Sequence, residues 1–115
     1  MNSERQKAGV KPLKKGSTQL YNAAKLRSKE ILQFYDHTRP NGQHWDTVLT
    51  GGGIKYISAS ETLATGQSTP KELIMDVMDN EFIRDSELTN LSISVAAQYE
   101  EDRWQYYWVL IFIGT

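Results

Sequence analysis

The chain has 115 residues and a net charge of −1, and it contains no cysteine. This length suits one domain with its own hydrophobic core, so we expect a single domain over residues 1–115. The lack of cysteine excludes disulfide bonds and zinc–thiolate sites, and a hydrophobic content of 39% argues against a disordered chain. Even the apolar stretch at residues 106–113 is too short to span a bilayer.

Charges are segregated along the chain. Residues 1–30 hold eight Lys or Arg and two acids, a balance of +6, whereas residues 71–103 hold three and nine, a balance of −6. A basic surface at Lys11, Lys14 and Lys15 would suit an adhesion or scaffold domain that binds an anionic cell-wall polymer. These lysines lack the interleaved aromatic residues of nucleic-acid binding surfaces, so we expect no nucleic-acid partner and favour a solvated helix face.

Two helices are predicted in the basic part of the chain. Residues 2–8 are polar and helix-permissive, and Gly9 suits the end of that helix. Ser17 or Thr18 would cap a second helix, whose apolar face consists of Leu20, Ala24, Ile31 and Phe34. Because Arg27 lies on or beside this face, it needs a partner there.

Residues 36–53 are predicted to form a loop, since they contain Pro40, Asn41–Gly42 and Gly51–Gly53. Loops of this length are often functional. His37 stands where the helix ends and the loop begins, and an imidazole titrates near physiological pH. The sequence therefore predicts a site near His37.

A strand and a further helix follow the loop. The strand is predicted over residues 54–65, and Glu61 shares one of its sides with the apolar residues Ile57, Ala59 and Leu63. Thr69–Glu72 forms a capping box with proline at the first helical position, which marks a helix start. Glu81 lies on the apolar face of that helix and Asn80 lies at its border.

Two strands close the chain. Apolar and polar residues alternate over residues 91–99, whereas residues 104–113 are apolar on both faces. A strand of the second kind is covered by helices on both sides. We therefore predict an α+β fold, a three-layer α/β/α sandwich around a small three-stranded antiparallel sheet.

Five short parts of the chain carry the motifs of one family. They are Asn2 and Arg5 with Gly9–Leu13, Leu20 with Ala23–Ala24 and Arg27, Asp36–Gly42, Glu61–Ala64, and Tyr107–Val109. In this order they resemble N-x-x-R…G-L-x-P-L, L-x-x-A-A-x-x-R, S-H-x-R-P-D-G, E-N-I-A and Y-W-V. These patterns are those of the CAP superfamily of cysteine-rich secretory, antigen 5 and pathogenesis-related proteins, in its cysteine-free bacterial SCP-like branch.

The resemblance implies the same sandwich and a central cleft in which two histidines and acidic residues hold, in some members, a divalent metal such as zinc. His37 matches the first family histidine and Glu61 matches the family glutamate. Ile83 stands at the second histidine and Asn80 at a family serine, while the arginine is kept as Arg84. Family members are generally exported, so the resemblance also implies an extracellular or cell-surface location, with the signal sequence absent from this chain.

Our main hypothesis is a ligand-binding or partner-binding module. Its cleft would receive a small ligand, a lipid or a peptide, and its candidate residues are His37, Arg39, Glu61, Asn80 and Glu81. Isoleucine neither binds a metal nor moves a proton, so Ile83 argues against an enzyme. We expect a monomer.

The alternative is a metal-dependent hydrolase acting on peptide or cell-wall substrates. His37 and Glu61 would be two zinc ligands, with Glu81 or His44 replacing the missing one. In the purely structural interpretation, His37 is a histidine at a helix end whose second ring nitrogen is hydrogen-bonded to a carbonyl or a carboxylate. Glu61 is then a half-buried acid that accepts hydrogen bonds from loop amides or from Arg39.

Overall fold

The structure, a computed structural model, describes residues 2–7, 9–77 and 86–115. Its helices are α1 (Asn2–Lys7), α2 (Thr18–Gln33), α3 (Thr47–Gly51) and α4 (Pro70–Val77). Its strands are β1 (Lys14–Lys15), β2 (Ser58–Thr65), β3 (Asn90–Glu100) and β4 (Arg103–Gly114). None of the helices in the described part has the length and apolar character that crossing a bilayer requires.

The four strands form one mixed sheet in the order β1-β3-β4-β2. β4 is antiparallel to both β2 and β3, as predicted for these three strands. The prediction of a three-stranded antiparallel sheet was nevertheless wrong, because β1 adds a fourth strand parallel to the start of β3. This two-residue strand of exposed lysines has no apolar alternation that would indicate it.

Two hydrophobic cores lie on opposite faces of the sheet. Alternate residues of β4 serve the two cores, because successive side chains of a strand point to opposite faces. One core, beneath α2 and α3, contains Leu20, Ala23, Ala24, Ile31, Trp45, Val48, Leu49, Val109, Ile111 and Ile113. The other, against α4, contains Leu13, Leu73, Val77, Leu88, Trp108, Leu110 and Phe112. Helices thus cover both faces of β4, as its two-sided apolar pattern predicted.

Helix α2 packs on the sheet with Arg27 on its buried face. The Ser17 side chain accepts a hydrogen bond from the Leu20 N–H and caps the helix, as predicted. The buried face includes Arg27 and Ile31. Phe34 was wrongly assigned to this face: the helix ends at Gln33, the backbone of Phe34 is extended, and its side chain is 47% exposed.

The predicted loop contains more structure than its sequence indicated. α3 lies within it, and Thr38 forms an isolated antiparallel bridge with His44. The following strand begins at Ser58 rather than at residue 54. Ile57, predicted to share a side with Glu61, is 86% exposed because it precedes the strand.

Candidate functional site

A buried ion pair lies between α2 and the sheet. Arg27 Nε is 2.7 Å from Glu61 Oε2, and Arg27 Nη2 is 3.1 Å from Glu61 Oε1. Both side chains are completely shielded from solvent. The guanidinium fork therefore binds both carboxylate oxygens, the geometry in which arginine pairs most strongly with an acid. Arg27 has found the partner that its position on the apolar face required.

His37 completes this arrangement at the surface. Its Nδ1 is 2.8 Å from Glu61 Oε1, and its side chain is 56% exposed. The carboxylate already accepts hydrogen bonds from Arg27, so it also accepts from the ring, and Nδ1 carries the hydrogen. In a neutral imidazole this leaves Nε2 with a free lone pair. The buried pair thus fixes the tautomer of a half-exposed histidine.

A second acid extends the network to the loop. Glu30 Oε1 lies 3.0 Å from Arg27 Nη1, and Glu30 Oε2 lies 2.7 Å from Arg39 Nη2. Arg39 also donates to Thr47 Oγ1 at 3.0 Å, and Arg27 donates to the Asp36 carbonyl at 2.7 Å. These bonds connect α2, the loop that carries His37, and α3.

The network perturbs the protonation of two of its members. Burial disfavours the charged form of Arg27, but hydrogen bonds to Glu61 and Glu30 outweigh it and raise the pKa of Arg27 above its ordinary value. Burial likewise opposes the charge of Glu30, yet hydrogen bonds from Arg39 and Arg27 lower the pKa of Glu30 below its ordinary value. Both residues are therefore held in their charged forms.

The structure brings His37 and Glu61 together but separates other predicted members. The interpretation in which Arg39 binds Glu61 was wrong, because Arg39 pairs with Glu30. His44 Nδ1 is 3.0 Å from Asp46 Oδ1, and the His44 side chain is 64% exposed. The predicted site residues Asn80 and Glu81, together with Ile83 and Arg84, lie outside the described residues, so their roles stay predictions.

A divalent metal does not fit the donor groups of the described residues. In residues 2–7, 9–77 and 86–115, no three metal-binding side chains come together. Both oxygens of Glu61 accept hydrogen bonds from Arg27, whose positive charge opposes a cation at the same carboxylate. His37 Nε2 is one nitrogen ligand, whereas a zinc site usually takes at least three protein ligands.

Two aromatic residues precede His37 in the sequence. Phe34 and Tyr35 immediately precede the loop and are 47% and 46% exposed. Tyr35 packs edge to face on Tyr107, with ring centroids 6.0 Å apart, and the Tyr107 hydroxyl donates to Glu100 at 2.9 Å. This hydrogen bond raises the pKa of Tyr107, and burial raises the pKa of Tyr35. The exposure of Phe34 was missed because the apolar period of α2 continues through it.

A groove of about 360 Å³ runs between α2 and α3. Its lining includes Arg39 and Thr47, which belong to the network described above, and Leu26, which is 45% exposed. Hydrogen bonds of the network therefore connect the lining of this groove to His37.

Comparisons with known proteins agree on one family. The family model described as the cysteine-rich secretory protein family, CAP, matches residues 1–112. The chain is 34% identical over 116 residues to the uncharacterized protein YkwD of Bacillus subtilis (strain 168), a match that covers 98% of this chain. It spans only 44% of the length of that relative.

Solved structures share the fold at low sequence identity. An extracellular protein containing an SCP domain from Bacillus anthracis superposes with a TM-score of 0.81 at 18% identity, over 99% of this chain and 37% of that one. A cysteine-rich secretory protein from Staphylococcus aureus gives 0.68 at 18% identity, over 99% and 35%. An outer surface protein from Borrelia burgdorferi gives 0.72 at 14% identity, over 99% and 86%.

Proposed function

The chain belongs to the cysteine-rich secretory protein (CAP) family, and from this premise we propose that it is an extracellular or cell-surface domain that binds a ligand through His37. The proposed location is supported by the names of the structural neighbours, an extracellular, a secretory and an outer surface protein.

One observation carries the binding proposal: a fully buried ion pair ends in a half-exposed imidazole. Removing Arg27 and Glu61 from water is unfavourable, and apolar side chains of similar volume often stabilise a core equally well. The pair does, however, fix the orientation and the tautomer of His37. A positioned ring at the surface, whose Nε2 has no partner among the described residues, is what recognition of a ligand requires.

The surroundings of His37 favour a ligand with both polar and apolar parts. Nε2 of the neutral ring accepts a hydrogen bond from an N–H or O–H group. Phe34 and Tyr35, within three residues of His37, offer exposed aromatic area. A peptide segment, a lipid or another small ligand that combines a donor group with an apolar group has this chemistry.

The test compares two exposed histidines, one hydrogen-bonded to a buried carboxylate and the other to an exposed one. His37→Ala removes the ring held by the buried carboxylate, whereas His44→Ala removes a similarly exposed ring beside the exposed Asp46. NMR titrations with short peptides and single-chain phospholipids would follow the imidazole resonances and the affinity. We expect His37→Ala to weaken binding about three- to tenfold, the loss of one hydrogen bond, and His44→Ala to leave it unchanged.

Two results would contradict the binding module. Equal affinity in both variants would remove His37 from the recognition surface. Tight 1:1 binding of zinc in calorimetry, lost in His37→Ala, would favour the metal-dependent hydrolase, which otherwise stays a prediction. The basic surface at Lys11, Lys14 and Lys15 is exposed, and its role in adhesion to an anionic polymer also stays a prediction.

A further inference from the structure

Strands β3 and β4 extend beyond the rest of the sheet. The last residue pair between β2 and β4 is Thr65–Tyr107, whereas β3 and β4 stay paired from Ala97–Tyr106 to Glu100–Arg103. Residues 97–106 therefore form a two-stranded hairpin ribbon, which projects by about four residues, or roughly 13 Å. A two-stranded ribbon of this kind has no third strand to pair with among the described residues.

One face of the hairpin ribbon is aromatic. Tyr99 lies opposite Trp104, and their rings meet edge to face with centroids 5.4 Å apart. Tyr99 is 58% exposed and Trp104 is 59% exposed, and Val95 on the same face is 46% exposed. The other tryptophans, Trp45 and Trp108, are buried. Apolar residues clustered on an exposed face in this way are typical of interaction sites.

The end of the hairpin ribbon is acidic. Glu101 and Asp102 form the turn and are exposed, and they are flanked by Glu100 and Arg103, which gives a local charge of −2. Glu100 accepts the hydrogen bond from Tyr107 on the opposite face, which leaves the exposed carboxylates of Glu101 and Asp102 for a ligand at the aromatic face.

We propose that the aromatic face of the hairpin ribbon binds a cationic polypeptide segment. Aromatic rings attract the guanidinium and ammonium groups of Arg and Lys, and Trp is the best of them. The carboxylates of Glu101 and Asp102 would pair with the same cations. Charge complementarity is thus the reason for this partner, and it argues against an anionic membrane surface, which the acidic turn repels.

This site is separate from the one at His37. The aromatic face carries the odd-numbered residues of β3, whereas Glu100 and Tyr107 point to the opposite side, towards Tyr35. The proposal therefore does not depend on the ligand-binding function proposed above, and His37→Ala should leave it intact.

Trp104 supplies its own signal for the test. A twelve-residue peptide with four arginines separated by Gly and Ser would be titrated by calorimetry, and acrylamide quenching would report whether the one exposed tryptophan of the described chain becomes protected. The matched peptide has glutamine at the four arginine positions. We expect binding and protection with the arginine peptide, and affinity that weakens at least about fivefold between 50 and 500 mM salt because exposed charge pairs are screened.

Variants locate the binding. Trp104→Ala should weaken it about tenfold, within the range of a cation–π contact, and Asp102→Asn should weaken it and reduce its salt dependence. Both side chains are exposed, so the fold is expected to persist. The matched controls are Tyr21→Ala, which removes an aromatic ring 47% exposed on α2, and Asp46→Asn, which removes one charge from the loop before α3.

Three outcomes would overturn the proposal. They are equal binding of the glutamine peptide, equal effects of Trp104→Ala and Tyr21→Ala, and binding that is insensitive to salt. Concentration-dependent self-association that Trp104→Ala abolishes would also overturn the assignment to a separate partner, because it would identify a second copy of this chain as the occupant.

Discussion

Arg27 holds together more of the candidate site than any other described residue. It contacts Glu61, Glu30 and the Asp36 carbonyl with no exposed side-chain area. Arg27→Met would leave Glu61 buried without its guanidinium, so we expect the free energy of unfolding to fall by about 3–5 kcal/mol. Urea denaturation measures this, with Lys25→Met, an exposed position on the same helix, as the control. A loss below about 1 kcal/mol would mean that the pair is dispensable.

Glu30 gives the site a predictable pH dependence. Its pKa is lowered in the folded state, with an ordinary value of 4.5. A lowered folded pKa stabilises the protein above the ordinary value, and this contribution is lost as the pH falls below 4.5 through the folded pKa. We expect Glu30→Gln to lower the free energy of unfolding by about 1–3 kcal/mol at pH 7, because charged hydrogen bonds to Arg39 and Arg27 are lost.

The measurement is urea denaturation of Glu30→Gln and the unmodified chain between pH 7 and pH 3. The difference in the free energy of unfolding should narrow as the pH falls below 4.5, because the native glutamate then takes up a proton. A difference that stays constant, or that widens, would assign the pH dependence to other groups.

For single residues, the sequence predicted that a buried charge requires a partner, but it did not predict which residue the partner is. An arginine on an apolar helix face has to be paired, and Arg27 is. The choice between Arg27 and Arg39 as the partner of Glu61 depends on how α2 lies on β2, which no local pattern contains. The same holds for the 2.8 Å contact of His37 with Glu61, since 24 residues separate them.

Among the elements, the β3–β4 turn combines two unfavourable backbone conformations. Glu101 and Asp102 have φ angles of +49° and +64°, a region in which residues with a Cβ are strained. Two-residue hairpin turns of this kind prefer Asn-Gly. We expect the double change Glu101→Asn and Asp102→Gly to raise the free energy of unfolding by about 1–2 kcal/mol.

Urea midpoints measure that gain, and Asp46→Asn, outside the turn, should not reproduce it. The same double change should weaken binding of the proposed cationic partner, because it removes both exposed carboxylates of the turn. A more stable chain that binds the arginine peptide less well would show that the acidic turn lowers stability and contributes to binding. No change in stability would show that the turn is already relaxed.

Elements with strong periodic signals were predictable and short ones were not. α2 has a capping serine and an apolar face, and β4 has a continuous apolar run. β1 consists of two exposed lysines, and its strand geometry comes from Thr89 and Leu91, whose carbonyls accept from the backbone N–H groups of Lys14 and Gly16. The five-residue α3 likewise lies within a segment marked by loop residues.

At the scale of the whole molecule, two oppositely charged groups lie at opposite ends of β3. Lys14 and Lys15 pair with the first two residues of β3, whereas the acidic turn follows its last residue, Glu100. A strand rises about 3.3 Å per residue, so the two ends lie roughly 33 Å apart. A net charge of −1 therefore conceals exposed lysines beside the first residues of β3 and exposed carboxylates beyond its last residue.

The parallel pairing of β1 with β3 joins parts of the chain that are far apart in the sequence. The β3–β4 hairpin closes through a two-residue turn, whereas Arg5 reaches the Leu88 carbonyl across 83 residues. Local closure is fast and long-range closure is slow, so we expect the hairpin to form before the amino-terminal segment attaches to β3. That segment covers the outer edge of β3 at Asn90 and Leu91. Its detachment would leave strand N–H and C=O groups unpaired, a template on which another chain can aggregate.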